Sequence, residues 1–356
     1  MRTAVPRETM TPKERWLAAV RHEKPDRVPL YYRATEEATA KLLAHTGCAT
    51  MDQLCERLHI DRLAGVSPRY VGPPRPAGED LYGRRFAEVR YEGGTYRECV
   101  HHPLAAFRTL AQIQAEYTWP TADWFDYADL PRQAAGAGER ALAAGGSEPF
   151  LIYKDLRGEE QAFVDLVEHA DIVHFCLERL YGFCYESTRR IYEAIPGQVT
   201  VTSVAEDMGA QDRLLYSRTH LEEFFFPYMR RMMDLAHQAG AYVDTHSDGA
   251  VLEIIPDLLE MGMDILNPVQ WRCGGMDRDG LVRDFGDRLV FEGAMDNQYT
   301  LPFGTVEEVR QEVRDNIRIL GAGGGFILTP CHNIQVVGPP ENVVAMYETA
   351  YEEGWY

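Results

Sequence analysis

The residues with the clearest capacity for chemistry stand in the segment Ala241–Gly249. It begins as a predicted strand after a turn glycine and ends in polar residues just before a predicted helix. Two of these, His246 and Asp248, are two positions apart, so in an extended chain their side chains point to the same side. Both can bind a metal, and together they would supply half of a zinc site. The alternative is a hydrogen-bonded structural histidine followed by an aspartate that caps the helix.

Polar side chains follow other predicted strands in the same way. The carboxyl ends of parallel strands meet at one mouth of an α/β barrel, so these residues are expected to converge. Histidine, cysteine and carboxylate together suit zinc with one coordination position left open. The strand-end residues are Glu206, Asp207, His246, Asp248, Asn267, Gln270, Asp296, Gln298, Cys331, His332 and Asn333.

Within this set we predict His246, Cys331 and Glu206 as the metal ligands, with Asp248 as the alternative third ligand. The structural alternative is that Cys331 fills a small buried space and Glu206 pairs with an arginine. The remaining residues divide by chemistry. Predicted catalytic groups, which would position a substrate or move a proton, are Asp207, Asp248 and Asp296. Predicted cofactor contacts are Asn267, Gln270 and Asn333.

The elements that must position these residues alternate between strand and helix. Strands are predicted to begin near residues 28, 60, 149, 199, 241, 264, 289 and 326. Eight strands separated by helices predict an α/β protein with a (β/α)8 TIM barrel, preceded by an N-terminal helix with a capping box at Thr11 and Glu14. We predict one domain over residues 1–356.

Residues 68–120 interrupt the alternation. Their prolines and glycines indicate loops, and Gly83–Tyr91 with Gly94–Val100 predicts a hairpin that turns at residues 92–94. We interpret this part as an insertion near the barrel mouth. After it, Gly136–Ala144 is predicted to be a helix and Phe150–Tyr153 the third barrel strand.

The composition excludes several classes of partner. The 356 residues include 36 basic and 55 acidic side chains, a net charge of -19, which argues against nucleic acid and anionic membranes as partners. We find no apolar run of membrane-spanning length and no signal peptide. Seven scattered cysteines without a CxxC pair indicate free thiols and a cytoplasmic location.

Several motifs resemble a known family. Thr11-Pro-Lys-Glu-Arg15, with the segment His22–Pro29, resembles the opening of the uroporphyrinogen decarboxylase superfamily. Within it, three later segments resemble the corrinoid-dependent methyltransferase branch. They are His246-Ser-Asp-Gly249, Gly262-Met-Asp-Ile-Leu-Asn-Pro-Val-Gln270, and Pro330-Cys-His-Asn-Ile-Gln335 followed by Pro340–Val343. The resemblance covers the start and nearly everything from residue 199, and it is thin between 68 and 190.

The resemblance implies a TIM barrel with Zn²⁺ at its mouth. In that branch the zinc activates a thiol or binds a methoxylated substrate, and cobalamin on a separate corrinoid-binding protein gives or takes the methyl group. Members that act on coenzyme M have a cysteine where this chain has Asp248, whereas Cys331 matches their later cysteine ligand. The chain is more similar to members that demethylate methoxyarenes, in which a glutamate joins the ligands. This resemblance implies that Glu206 is a metal ligand.

The resemblance therefore predicts a zinc-dependent methyltransferase with a small-molecule substrate, and it leaves a homodimer as one option. The main alternative is a cofactor-free decarboxylase or lyase in which Asp296 and His246 act without metal. The decarboxylase itself has an arginine-rich motif after its first strand, where this chain has only Arg33, which argues against a porphyrinogen substrate. A third hypothesis is a non-catalytic protein that binds a tetrapyrrole or corrinoid.

Overall fold

A parallel sheet forms the centre of the molecule. The computed structural model describes residues 7–91 and 94–356. Within these residues, seven strands lie in the sheet in the order in which they occur in the chain, each hydrogen-bonded to the next. Successive parallel strands need a crossover, and helices supply it here. The strands are Ala64–Gly65, Leu142–Ser147, Val201–Val204, Tyr242–His246, Ile265–Val269, Val290–Met295 and Phe326–Pro330.

An extended segment around Leu30 closes the sheet into a barrel. The Tyr31 N–H donates to the Leu328 carbonyl (2.9 Å), and the Leu328 N–H donates to the Pro29 carbonyl (3.0 Å). On the other side, the Leu30 carbonyl accepts from the Asp61 N–H (2.7 Å), just before the first strand of the sheet. The segment thus takes the place between the last strand and the first. The predicted (β/α)8 TIM barrel is confirmed.

Helices surround the barrel. Val306–Leu320, for example, begins after a capping box formed by Thr305 and Glu308. The other helices are Pro12–Val20, Glu36–Thr46, Met51–Arg57, Leu110–Glu116, Leu130–Ala135, Pro149–Arg157, Glu159–Glu168, Ala170–Ala194, Arg218–His220, Phe226–Gln238, Ile255–Met261, Arg278–Phe285, Thr300–Phe303 and Pro340–Glu353. Ala122–Trp124 and Leu252–Ile254 are 3₁₀ turns, and Leu221–Phe225 is a π-helical turn.

The third barrel strand is not where the sequence placed it. Phe150–Tyr153 belongs to the helix Pro149–Arg157, and the strand is Leu142–Ser147, which overlaps the predicted helix Gly136–Ala144. The helix opens with a proline, which suits a first turn, and its buried positions 150, 153, 156 and 157 recur at helical spacing. The strand is rich in alanine and glycine, and its tertiary neighbours override that composition.

The insertion contains the predicted hairpin and lies at the barrel mouth. Arg85–Tyr91 pairs antiparallel with Gly94–His101, and the predicted turn at residues 92 and 93 lies outside the described residues. The Tyr91 hydroxyl donates to the Gln335 side chain (3.0 Å), in the loop after the last strand. A second short pair joins Arg69–Tyr70 to Phe125–Asp126. These contacts confirm the prediction of a hairpin next to the mouth.

The N-terminal helix closes the opposite end of the barrel. The capping box at Thr11 and Glu14 is present as predicted. Trp16 of this helix packs against residues at the amino ends of the strands, among them Val201 and Val290. Apolar packing there stabilises the end of the barrel that is remote from the strand-end polar residues. Among the described residues, the model contains no helix with the length and apolarity to cross a membrane.

Candidate functional site

Three of the predicted strand-end residues form one cluster. Asp207, His246 and Asp248 each offer a ligand atom, and these atoms lie within 4.8 Å of one another. His246 Nε2 is 3.7 Å from Asp207 Oδ1, and all three residues are partly buried. Within the described residues, the fold brings these three potential metal ligands together in one group. His246 and Asp248 converge as the sequence predicted, whereas Asp207 joins them from the neighbouring strand.

Backbone contacts between the two loops hold the cluster in place. The Asp248 N–H donates to Asp207 Oδ1 (3.2 Å), and Ser247 Oγ accepts from the Met208 N–H (2.9 Å). Gly249 has a φ of +88°, and an added Cβ would lie 2.5 Å from the backbone carbon of residue 209. Only glycine fits such a close approach without a shift of the backbone. The His-Ser-Asp-Gly sequence thus sets the spacing of the two carboxylates.

The orientation of the His246 ring follows from two buried residues. Asn267 Nδ2 donates to Glu292 Oε1 (2.6 Å), and this bond directs Asn267 Oδ1 toward His246 Nδ1 (2.8 Å). An amide oxygen only accepts, so Nδ1 of the imidazole carries the proton. In the neutral imidazole, Nε2 is then the nitrogen with the lone pair, and it faces the two aspartates. This is the tautomer that a metal-binding histidine needs, with its second nitrogen hydrogen-bonded.

Asp248 supplies an independent indication that a cation belongs in the cluster. Its Oδ1 is buried and has no hydrogen-bond partner. Burial raises the pKa of Asp248, His246 lowers it, and the like charge of Asp207 raises it. A buried carboxylate oxygen without a partner is costly, and a bound cation would satisfy it. One imidazole and two carboxylates are ligands that Zn²⁺ accepts, so the residues present fit a divalent metal.

Glu206, a predicted ligand, points away from the cluster. It is 2% exposed, and its Oε1 accepts from the Phe150 N–H (2.9 Å) and from the Tyr181 hydroxyl (3.0 Å). Burial raises the pKa of Glu206 to about 8, although both hydrogen bonds lower it. The carboxyl group thus joins two helices behind the strands, and the structure does not bring it to His246.

We expect Glu206 to make stability depend on pH. An acid whose pKa rises from 4.5 to about 8 on folding binds more protons in the folded state, so the free energy of unfolding falls as pH rises through that window. The loss contributed by this group is about 3–5 kcal/mol at full ionisation. Glu206→Gln keeps the acceptor oxygen and should remove this contribution. Urea unfolding at pH 5, 6.5 and 8 measures it. A variant with the wild-type pH dependence, or with reduced metal binding, would contradict this assignment.

Cys331, another predicted ligand, lies beside the cluster without joining it. The thiol is fully buried and donates to the Val269 carbonyl (3.2 Å). Burial, with the nearby charges of Glu312 and Asp296, raises the pKa of Cys331 well above its usual value. The neutral thiol is therefore the stable form in this environment, and a thiolate would need a cation close by.

The mouth of the barrel holds a cavity of about 280 Å³ next to the cluster. Glu148 lines it, and burial raises the pKa of this carboxyl group, which His246 lowers and the charge of Asp207 raises. A carboxyl group with a raised pKa is suited to donate a proton. The cavity is also lined by Arg33, Ser203, Ala205, His246, Pro330, Cys331, His332 and Asn333. It is large enough for a small organic group, and Asn333 is one of its exposed lining residues, whereas the predicted role of Asn333 as a cofactor contact stays a prediction.

The other predicted residues have contacts that explain their positions. Asp296 accepts from the N–H groups of residues 298, 299 and 300, and pairs with Arg272 (3.0 Å), so its oxygens are engaged outside this cavity. Gln270 Oε1 accepts from the Gly249 N–H (2.5 Å) and supports the loop of Asp248. Asn267 orients His246. Gln270 and Asn267 thus act on the cluster through hydrogen bonds. Their role as cofactor contacts stays a prediction.

Sequence reasoning missed three charged residues in the barrel. Glu148 stands before the helix that was predicted to be a strand, so its position was not apparent. Asp244 and Glu292 lie within central strands of the barrel, at 7% and 5% exposure. A carboxylate inside a central strand is itself a signal, because burying it without a function or a partner is unfavourable.

Comparisons with known proteins agree with this architecture. The family model described as uroporphyrinogen decarboxylase (URO-D) matches residues 104–353. A uroporphyrinogen decarboxylase from Anaeromyxobacter dehalogenans (strain 2CP-C) is 29% identical over 139 residues, which are 39% of this chain and 38% of that protein. One from Psychromonas ingrahamii is 31% identical over 108 residues, 30% of this chain and 28% of that protein. The matched segments thus span well under two thirds of these relatives.

A solved structure gives a longer match. A methyltransferase from Methanosarcina mazei superposes with a TM-score of 0.64 over 96% of this chain and 98% of that one, at 18% identity. At this identity the likeness establishes the fold. The family model covers most of the chain, and its match includes every strand that carries a residue of the cluster. The resemblance of the sequence motifs is confirmed: the chain belongs to the uroporphyrinogen decarboxylase family.

Proposed function

We propose that this protein is a zinc-dependent methyltransferase that moves a methyl group between a small substrate and a corrinoid on a partner protein. The observation that carries the proposal is the cluster of Asp207, His246 and Asp248 at the mouth of a TIM barrel of this family. The match to the methanogen methyltransferase supports it. The substrate classes that we propose are methoxyarenes and thiols.

In this proposal Asp207, His246 and Asp248 hold the metal, in place of the predicted set His246, Cys331 and Glu206. The bound zinc would supply Lewis-acid polarisation of the ether or thiol heteroatom. The chain's own contribution is to present the Nε2 lone pair of His246 in a fixed orientation, through Asn267. The two aspartates are tied by the Asp248 N–H and cannot separate freely. The ligand atoms are therefore organised before any ion binds.

Glu148 is the group that we assign to proton movement at this site. It lines the cavity with His246, and its raised pKa keeps a larger fraction of it protonated near neutral pH than an ordinary glutamate. In methyl transfer from an ether, a protonated Glu148 would donate to the leaving oxygen; in methyl transfer to a thiol, the Glu148 carboxylate would accept the thiol proton. The exposed residues His332 and Asn333 lie at the rim, where a partner protein would approach.

Decarboxylation is the second candidate, because the curated relatives that match are named uroporphyrinogen decarboxylases. The charge of the mouth disfavours it. Glu148, Asp207 and Asp248 stand there against one arginine, Arg33, and a substrate with several carboxylates would meet repulsion. A metal-free lyase acting on a small acid would need His246 as the catalytic group, and it is tested by the same experiment.

The experiment that tests the proposed function combines metal analysis with a transfer assay. Elemental analysis of the chain, purified under reducing conditions without chelators, should find about one zinc per chain. The chain is then mixed with reduced cobalamin and a panel of methoxyarenes and methyl thioethers, and the cobalamin absorbance is followed for methylation. Metal-free protein with full transfer would contradict the zinc assignment. Metal-free protein without transfer would move the lyase to first place.

A further inference from the structure

A second cavity of about 300 Å³ lies inside the barrel and shares Arg33 and Ser203 with the cavity at the mouth. TIM barrels are ordinarily filled at this level by layers of bulky branched side chains. Here one wall consists of small residues, including Ala143, Gly145 and Ser203. Ser203 is exposed although it lies in a strand in the middle of the sheet. The small side chains of these strand residues thus leave the interior of the barrel partly empty.

Charged residues also line this inner cavity. Asp244 and Glu292 line it at 7% and 5% exposure, together with Arg33. The Arg33 guanidinium is 3.6 Å from Glu292, which also accepts a hydrogen bond from Asn267 (2.6 Å). Asp244 is the register partner of Ser203 on the neighbouring strand and also lies near Arg33, yet its Oδ1 is buried without a hydrogen bond. Two carboxylates therefore face one cation, and the unsatisfied oxygen belongs to the second carboxylate.

An interior of this kind is unfavourable for folding alone. Burying a charged group without a partner costs free energy, and empty space next to it forfeits packing as well. Such a combination is expected where a ligand supplies the missing contacts. A hydrogen-bond donor to Asp244 Oδ1 is missing, and the cavity lining carries two carboxyl groups against one guanidinium. A cationic donor would satisfy both requirements.

We propose that the inner cavity binds a cationic, hydrogen-bond-donating group of the substrate, of the ammonium or amidinium class, against Asp244 and Glu292. The reacting end of the same molecule would then lie in the outer cavity at His246, because the two cavities adjoin at Arg33 and Ser203. This inference rests on the proposed function for the identity of that reacting end. It makes Asp244 a specificity-determining residue and selects against anionic methyl donors.

A matched series of probes tests the charge preference. The compounds 4-methoxybenzylamine, 4-methoxybenzyl alcohol and 4-methoxybenzoate are nearly equal in size and differ in charge. Their binding to the full chain is measured by isothermal titration calorimetry, without corrinoid. We expect the amine to bind at least about tenfold more tightly than the alcohol, and the benzoate to bind more weakly than either, because only the ammonium adds the attraction of opposite charges to the hydrogen bond.

Asp244→Asn supplies the second arm of the test. It should lower the affinity for the amine about tenfold or more and leave that for the alcohol unchanged, because only the charge opposite the ammonium is removed. The control is Asp287→Asn, at an 82% exposed side chain before the strand Val290–Met295. It should change neither affinity. Far-UV circular dichroism and the melting temperature establish that each variant is folded.

The outcomes separate this inference from the proposed function. Binding of the benzoate as tightly as the amine, binding of no probe, or an Asp244→Asn variant with unchanged amine affinity would overturn the inference. Methyl transfer from donors of any charge, without a preference for the amine, would overturn it and leave the proposed function in place. A clear preference for the amine in a protein that never methylates cobalamin would overturn the proposed function and leave this inference in place.

Discussion

Replacing His246 by alanine should reduce the metal content to background and slow methyl transfer by at least about 10³-fold, since loss of a Lewis acid removes several kcal/mol of transition-state stabilisation. The expected effect is large because His246 provides the one nitrogen ligand of the cluster. Two aspartates alone bind divalent zinc weakly. Elemental analysis and the cobalamin absorbance assay measure the two effects on the same preparation.

A histidine that has no part in the site provides the matched control. His174 is 44% exposed and contacts Glu223 on the outer surface (3.0 Å). His174→Ala should keep the metal and the transfer rate. If His246→Ala also kept both, the cluster would not be the metal centre, and Cys331 would return as the leading candidate ligand.

An intermediate variant distinguishes orientation from ligation. Asn267→Leu removes the acceptor of the His246 Nδ1 proton but leaves all three ligands present. Loss of a hydrogen-bonding partner behind a metal ligand typically weakens metal binding about 10–100-fold. The variant should therefore bind zinc more weakly than wild type but more tightly than His246→Ala. A long-range nitrogen–proton NMR spectrum of the metal-free protein should show His246 shifting away from the Nδ1–H tautomer, a change that a simple loss of stability would not produce.

Replacing Asp61 by alanine should lower the free energy of unfolding by about 3–5 kcal/mol, the range for removing one partner from a buried ion pair. Asp61 is 4% exposed and lies between two buried guanidinium groups. Its Oδ1 is 2.5 Å from Arg15 Nη1, and its Oδ2 is 2.7 Å from Arg27 Nη1 and accepts from the Leu30 N–H (3.0 Å). Alanine would leave both cations underpaired next to the segment that closes the barrel.

The cost should be unequal for the two arginines. Arg15 keeps Asp26: burial raises the pKa of this carboxyl group, but hydrogen bonds from Arg15 and from the Thr9 and Met10 N–H groups lower it to about 2. For Arg27, the carboxylate partner that remains among the described residues is Glu8, which is partly exposed, beside the Val28 and His59 carbonyls. Urea unfolding measures the loss, and Asp52→Ala is the control, because that side chain is 89% exposed and its pairing with Arg62 should contribute at most about 1 kcal/mol. An Asp61→Ala variant within about 1 kcal/mol of wild type would show that the network is dispensable.

Much of the fold could be predicted from the sequence because the relevant signals are local. The start of the helix Pro12–Val20 follows from the capping box at Thr11 and Glu14, and the hairpin Arg85–Tyr91 with Gly94–His101 follows from the glycines at its predicted turn. The strand Leu142–Ser147 could not be predicted, because an Ala-Ala-Gly-Gly run has no strand propensity of its own. It is a strand because its neighbours in the barrel supply the hydrogen bonds.

For the site, the sequence by itself determined that polar residues would gather at one mouth of a TIM barrel, with His246 and Asp248 among them. That follows from strand alternation and the order of the elements. Only the tertiary structure decided which residues meet. Glu206 and Asp207 are adjacent in the chain, yet one turns behind the strands and the other reaches His246. Neighbouring residues at a strand end point in opposite directions, so a shift of one position exchanges the two, and the sequence carries no record of that register.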